Sequence, residues 1–263
     1  MQRDKFFIST IAEDAETFGL GIEIAEYCTA WNVDNDFEDL DSVVEQKIAM
    51  APEIILHGPF NELSPAAIDI DVLEITKKRY RQAVELCLLY GAKKLVFHSG
   101  YTDNQYYKFW YKERAINFWK EFMQNLPGDF IIVLENVLED EPDLLLDVVR
   151  KVDNPRLKLC IDIGHINVCL SFAHRVKYNR VNEKMGECAD IYEWIEKSAP
   201  FISHYHIHNN DGKIDSHKAI FDGTIDMKKI LEFTNRLTSD ATYTIETTEA
   251  KESVEWMRNN VWN

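Results

Sequence analysis

Proline and glycine are scarce, 7 and 10 of 263 residues, which excludes collagen-like, low-complexity and linker-dominated architectures. No stretch approaches the roughly 18 consecutive apolar residues of a membrane helix. Met1–Lys5 runs straight into a short apolar strand and not into a signal-peptide core, so the expected location is the cytoplasm. Cysteine is limited to Cys28, Cys87, Cys160, Cys169 and Cys188, with no C-x-x-C pair and an odd count. That is a poor disulfide framework, and the five read as small buried hydrophobes. Cations are also short: 29 Lys plus Arg against 45 Asp plus Glu leaves a net charge of −16. The balance argues against nucleic acid as a partner, because phosphate contacts need Lys or Arg to replace condensed counterions. Bound divalent cations would reverse it locally.

What is present is apolar material for a sizeable core, 46% of residues, arranged in a repeating order. Short β-branched runs alternate with longer amphipathic ones from end to end, the pattern of βα units around a parallel sheet. Strands are expected at Phe6–Thr10, Leu20–Ala25, Ile54–His57, Lys94–His98, Phe130–Glu135, Leu157–Asp162, His204–His208 and Thr242–Glu246. Helices are expected at Phe37–Met50, Asp69–Leu89, Tyr107–Gln124, Asp143–Lys151, Val181–Lys197, Asp226–Leu237 and Glu249–Asn259, and Ile11–Gly19 leaves room for two turns. Within the second helix, Leu73, Tyr80, Val84, Cys87 and Leu88 fall on one side at 3.6-residue spacing and are expected to face the sheet. Eight such units in about 250 residues define a single (β/α)8 TIM barrel over residues 1–263, with an open doubly wound sheet as the alternative.

From the third onward, the strands end on or near metal-type ligands: His57, His98, Glu135, Asp162, His206 and Glu246. In a barrel these ends meet at one mouth. Buried carboxylates cost several kcal/mol each unless paired or coordinated, and carboxylates with imidazoles are the ligand set of Zn2+, Mn2+ or Fe2+. One strand-end histidine is ordinarily structural; six strands ending this way call for a common cause. His165 follows Asp162 by three residues, where the chain is expected to turn outward. Asp215 and His217 form a D-x-H pair able to chelate from an extended loop. His204, His206 and His208 share a face by period two; His206 is preferred as the ligand, His208 is expected nearer solvent on the substrate side, and His204 deeper in the core.

The succession His57-Gly-Pro, His98-Ser-Gly, Leu134-Glu135-Asn136, Asp162-Ile-Gly-His165, His206-Ile-His208, Asp215-Ser-His217 and Ile245-Glu246 resembles the xylose isomerase-like TIM barrel superfamily, over about Gly21 to Glu246. That superfamily contains sugar and sugar-phosphate isomerases and epimerases, and endonuclease IV. The isomerase branch implies one divalent ion on Glu135, Asp162, His206 and Glu246, with Glu135 and Glu246 also catalytic and His165 touching substrate. The endonuclease branch implies three zinc ions. Glu135 would bridge two of them, His57 and His98 would hold one, and Asp215 with His217 would hold another.

Departures bear on the choice. Val137-Leu138-Glu139-Asp140-Glu141 replaces the Thr-Ala-Gly run of the DNA enzymes and is expected to put three acids at the mouth, repelling a phosphate backbone. The loop before Asp215 is short, and no arginine adjoins His217. Tyr101 to Trp110 is dense in aromatics suited to a sugar's apolar face, with helix core as the equal alternative. His174-Arg175 to Arg180 reads as a solvated face or an anion clamp. The expected function is therefore a divalent-metal-dependent isomerase or epimerase of a small sugar, sugar phosphate or polyol. It would use one to three Zn2+ or Mn2+ ions, with His165, His208 and Tyr101 on the substrate. The alternatives are an endonuclease IV-like phosphodiesterase and a catalytically silent metal- or metabolite-binding barrel. The partner is a small molecule, and oligomerisation stays open.

Overall fold

The computed structural model describes residues 1–102, 105–171 and 190–262. Eight strands form a closed parallel barrel, which disposes of the open-sheet alternative. They are β1 (Phe6–Ser9), β2 (Gly21–Ile24), β3 (Ile54–His57), β4 (Lys94–His98), β5 (Ile131–Glu135), β6 (Leu157–Asp162), β7 (Ile202–Ile207) and β8 (Thr242–Ile245). β8 pairs with β1 to close the ring. The described helices are α1 (Ala30–Asn35), α2 (Phe37–Met50), α3 (Ile70–Tyr90), α4 (Lys108–Gln124), α5 (Asp143–Val152), α6 (Ile163–Cys169), α7 (Ile191–Ser198), α8 (Met227–Leu237) and α9 (Ala250–Asn260). Among the described residues no helix is long and apolar enough to cross a membrane.

Period-two alternation divides the strand residues into two cores. Phe6, Ile8, Leu95, Phe97, Ile132 and Leu134 pack outward under the helices. Phe7, Ile55, Val96, Val133 and Cys160 fill the barrel interior. Tyr80 of α3 stacks on Phe97 at 3.9 Å between ring centroids, and Trp119 of α4 joins the same aromatic layer. The expected α3 face is corrected at one end: Tyr80, Val84 and Cys87 are buried, but Leu88 is 44% exposed at the flank of that face. Cys87, Cys160 and Cys169 are buried and Cys28 half-buried, while Cys188 lies outside the described residues.

Strand register pairs the polar ends two by two. His98 is paired with Glu135, and Asp162 with His206, while Glu135 is level with Cys160, so the second pair stands two residues further along the strands. Two short helices are not legible in the residue pattern. α1 follows β2, and α6 begins immediately after Asp162. The Asp162 carboxylate caps α6 by accepting from the His165 amide at 2.6 Å. The chain therefore does not swing outward at His165; the cap folds it back over the mouth. Gly164, in the first turn of α6, is required by close approach: a Cβ there would stand 2.0 Å from the His208 ring.

Candidate metal centre

All nine side chains singled out as ligands converge on the C-terminal mouth, in overlapping sets. Glu135, Asp162, His206 and Glu246 bring ligand atoms within 4.8 Å of one another, as do His57, His98 and Glu135, and also His165, His208, Asp215 and His217. Glu135 joins two of these sets. Its Oε2 lies 3.4 Å from His57 Nε2 and 3.5 Å from His98 Nε2, and its Oε1 lies 3.4 Å from His165 Nδ1 and 3.5 Å from His206 Nδ1. Glu246 Oε2 is 3.0 Å from His206 Nδ1.

Backbone carbonyls decide which nitrogen three of the histidines present. In their neutral forms His57, His165 and His217 donate Nδ1–H to Gly58 O, Asn136 O and Glu246 O, at 2.9, 2.8 and 3.0 Å. Each is thereby left with Nε2 facing a carboxylate. Asn136, which the residue pattern does not single out, clamps the end of β6: its side chain donates to Asp162 O and accepts from Asp162 N.

Among the described residues, several buried atoms of this cluster find no hydrogen-bond partner: Glu135 Oε2, His206 Nδ1, His208 Nδ1 and Glu246 Oε2. Unpaired buried polar atoms are costly, and three carboxylates packed with imidazoles form a donor set that a divalent cation satisfies. The residues present fit such an ion.

The electrostatics match. Burial pushes Glu135 up, but His206, His98 and His57 outweigh it and hold the carboxyl well below its usual range. Asp162 and Glu246 are likewise lowered against burial, by His165 and His208 in one case and His206 in the other. Burial takes His98 down to about 4, which keeps it neutral. For His217 burial acts downward, yet Asp215 and Glu246 lift it to about 9. Against the effect of burial, His165 is raised well above the ordinary imidazole range by Asp162, Asp215 and Glu135, and His206 by Cys160, Glu23, Glu246 and Glu135. Protonated imidazoles must deprotonate to coordinate. Zn2+ binding to metal-free protein will therefore release protons at neutral pH, and affinity will rise with pH up to about 9, where His217 is itself deprotonated. Calorimetry in buffers of different ionisation enthalpy measures this; a pH-independent affinity would contradict it.

Several positions differ from expectation. His208 is not near solvent: it is fully buried just past the end of β7, with Nε2 3.2 Å from Asp162 and its ring stacked 3.8 Å from His217. The loop carrying Asp215 and His217 is not extended. A bridge between Asn209 and Lys218 closes it into a hairpin, and His217 sits at φ 43, a left-handed conformation that costs a side chain energy and that histidine seldom adopts. The turn still brings Asp215 Oδ2 to 3.1 Å from His217 Nε2.

The three acids after β5 do not line the mouth as free charges. Glu139 is buried and accepts from the amides of Val137 and Leu138, and burial raises its pKa. Asp140 and Glu141 both pair with Lys108, at 2.6 and 2.7 Å. The repulsion expected against a phosphate backbone is correspondingly weaker. Tyr101 and Tyr106 line a cleft of about 570 Å3 beside His98, with Phe60, Val137 and Leu138. Tyr107, Phe109 and Trp110 point outward instead. The His174 to Arg180 stretch lies outside the described residues.

Glu23 is a functional candidate that the strand-end pattern passes over. It is buried on β2 and sits beside both His204 and His206. An acid between two isoleucines, in Gly21-Ile22-Glu23-Ile24, is the available signal.

The family of xylose isomerase-like TIM barrels matches residues 19–260, and the chain belongs to it. The uncharacterized protein MJ1311 of Methanocaldococcus jannaschii is 26% identical over 216 residues, 77% of this chain and 67% of that protein, so this chain spans about two thirds of that relative's length. Among solved structures, a D-tagatose 3-epimerase-like protein superposes with a TM-score of 0.75 at 22% identity, covering 97% of this chain and 96% of the other. The TTHB071 protein from Thermus thermophilus, soaked with ZnCl2, superposes with a TM-score of 0.71 at 21% identity and 98% coverage of both chains.

Proposed function

We propose that the protein is a cytoplasmic divalent-metal-dependent isomerase or epimerase of a small sugar, sugar phosphate or polyol, acting by proton transfer beside a carbonyl. The observation that carries this reading is the convergence of Glu135, Asp162, His206 and Glu246 within 4.8 Å of one another, with buried ligand atoms that make no hydrogen bond among the described residues. These four would hold a Zn2+ or Mn2+ ion. When bound, such an ion polarises the substrate carbonyl and makes the adjacent C–H acidic.

The chain's own groups do the rest. Glu246 and Glu135 flank His206 Nδ1 at 3.0 and 3.5 Å, so both carboxylates adjoin the ion position and serve as base and acid. Their lowered pKa values leave both ionised, so whichever takes the substrate proton becomes the acid that returns it. His165 orients substrate hydroxyls, and His208, buried under α6, backs Asp162. Tyr101 and Phe60 wall the cleft beside His98, whose volume suits a monosaccharide. The shared barrel of a D-tagatose 3-epimerase-like protein supports the same chemistry.

A second reading is favoured by a separate observation. The His57–His98–Glu135 and His165–His208–Asp215–His217 sets supply ligands for two further ions, the arrangement expected of a trinuclear phosphodiesterase resembling endonuclease IV. One pair of measurements separates the two. Metal is counted by plasma mass spectrometry, and a ketose panel is incubated in D2O with Mn2+, Zn2+ or Co2+ and followed by NMR. One ion with deuterium entering the carbon beside the carbonyl is the result expected for the isomerase. Three zinc ions, no exchange and cleavage of an abasic-site oligonucleotide or a simple phosphodiester would replace it with the phosphodiesterase. Metal binding with neither activity would leave a silent barrel.

A further inference from the structure

One side of the barrel interior is apolar, and the other holds a buried polar column beneath the metal centre. Lys94, on the floor of the barrel, donates from Nζ to Ser203 O at 2.5 Å and to Thr242 Oγ1 at 2.7 Å. Thr242 Oγ1 lies 2.6 Å from His204 Nδ1. His204 Nε2 lies 3.2 Å from Glu23 Oε2, Thr244 Oγ1 donates to the same oxygen at 2.5 Å, and His206 Nε2 lies 3.2 Å from it. Glu23, His204 and His206 are all buried, so water does not compete for these bonds.

The column has one self-consistent direction. Lysine has only donors and an ionised glutamate only acceptors. Lys94 therefore donates to Thr242, whose own proton goes to His204 Nδ1. His204 is left with Nε2–H, which is shared between Thr244 Oγ1, at 2.9 Å, and Glu23. Glu23 then demands a proton from His206 Nε2 as well. With that proton placed, the other ring nitrogen of His206, Nδ1, faces Glu246, Glu135 and Asp162, at 3.0, 3.5 and 4.0 Å. His206 is the exception in the centre: His57, His165 and His217 present Nε2 and anchor Nδ1 on backbone carbonyls, whereas His206 presents Nδ1 and is anchored by a carboxylate.

We infer that Glu23 is a positioning residue, which locks His206 as the Nε2–H tautomer and turns its Nδ1 toward the metal position, with Lys94 setting the direction of the column from below. The inference rests on the reading of His206 as a metal ligand. A partner carboxylate of this kind makes the imidazole a better ligand and holds its ring plane, and loss of such a partner commonly weakens metal binding by about 10–100-fold.

The test is Glu23→Gln, isolated metal-free and titrated with Zn2+ against a chromophoric chelator. The His206 tautomer of the metal-free protein, at a pH where the ring is neutral, is read from long-range 1H–15N spectra. The expected result is a folded barrel by circular dichroism, a tightest Zn2+ Kd weakened by about 10–100-fold, and a His206 proton no longer confined to Nε2. Wild-type affinity overturns the inference. So does a weakened Kd with the tautomer unchanged, because the loss then arises from packing. His206→Ala tests the underlying reading: wild-type Zn2+ affinity in that variant removes His206 from the ligand set and overturns both. Loss of Zn2+ there, with Glu23→Gln unaffected, overturns the positioning role alone. If Glu23→Gln does not fold, Glu23→Asp carries the test. Its shortened carboxylate is expected to weaken Zn2+ by about tenfold, and wild-type affinity overturns the inference.

Discussion

Glu135→Gln is expected to empty the centre of metal and to abolish turnover. Each Glu135 oxygen faces two imidazole nitrogens, Oε2 toward His57 and His98 and Oε1 toward His165 and His206. The substitution keeps the shape but removes the negative charge, and it turns one acceptor into an NH2 donor. An ion held among His206, Asp162 and Glu246 loses a ligand, and any ion on His57 and His98 loses its only carboxylate in that set. The loss in affinity should exceed the roughly 10–100-fold typical of an outer partner. Turnover should fall by at least about 10³-fold, since a catalytic acid/base group, worth about 10²–10⁴, goes together with the ion. Plasma mass spectrometry and circular dichroism on the same sample check this. A folded variant with its full metal complement would remove Glu135 from the ligand set.

Glu246→Gln separates metal binding from proton transfer. Glu246 has the most exposed side chain of the four groups around the principal position, at 13% against 1% or less for the others. It is thus the one best placed to reach a substrate carbon. Glu135, Asp162 and His206 remain to hold an ion, so metal should be retained, though more weakly than in wild type, while deuterium exchange into substrate falls by about 10²–10⁴-fold. Substrate affinity should change little, because the lost interaction belongs to the proton-transfer step. Exchange at the wild-type rate would move the base elsewhere, with Glu135 the next candidate.

The legibility of this chain differs between its framework and its centre. The expected strands at Ile54–His57, Lys94–His98 and Leu157–Asp162 coincide with those found, and the other five agree to within two residues at either end. Local pattern suffices there: a β-branched run with a polar residue at its C-terminal end reports a barrel strand and what it delivers to the mouth. α1 and α6 escape the pattern because neither depends on amphipathic periodicity; α6 forms on the Asp162 cap, which reads equally well as a strand end. Period two from His206 points His208 past the strand end and so toward solvent, whereas Gly164 leaves its ring a buried place under α6. Glu139 counts as a mouth charge by residue type alone, because residue type carries no information on burial.

What the sequence by itself determined is the order of βα units and the identity of the side chains delivered to the mouth, since both follow from short-range periodicity and from what ends each strand. Only the tertiary structure decided how those side chains are grouped, which nitrogen each histidine presents, and that Glu23 stands behind His206. The reason is closure. Pairing β8 with β1 carries β2 around to face β7, so Glu23 meets a histidine 183 residues away in the chain, in a dry interior where each polar atom must find its partner or an ion.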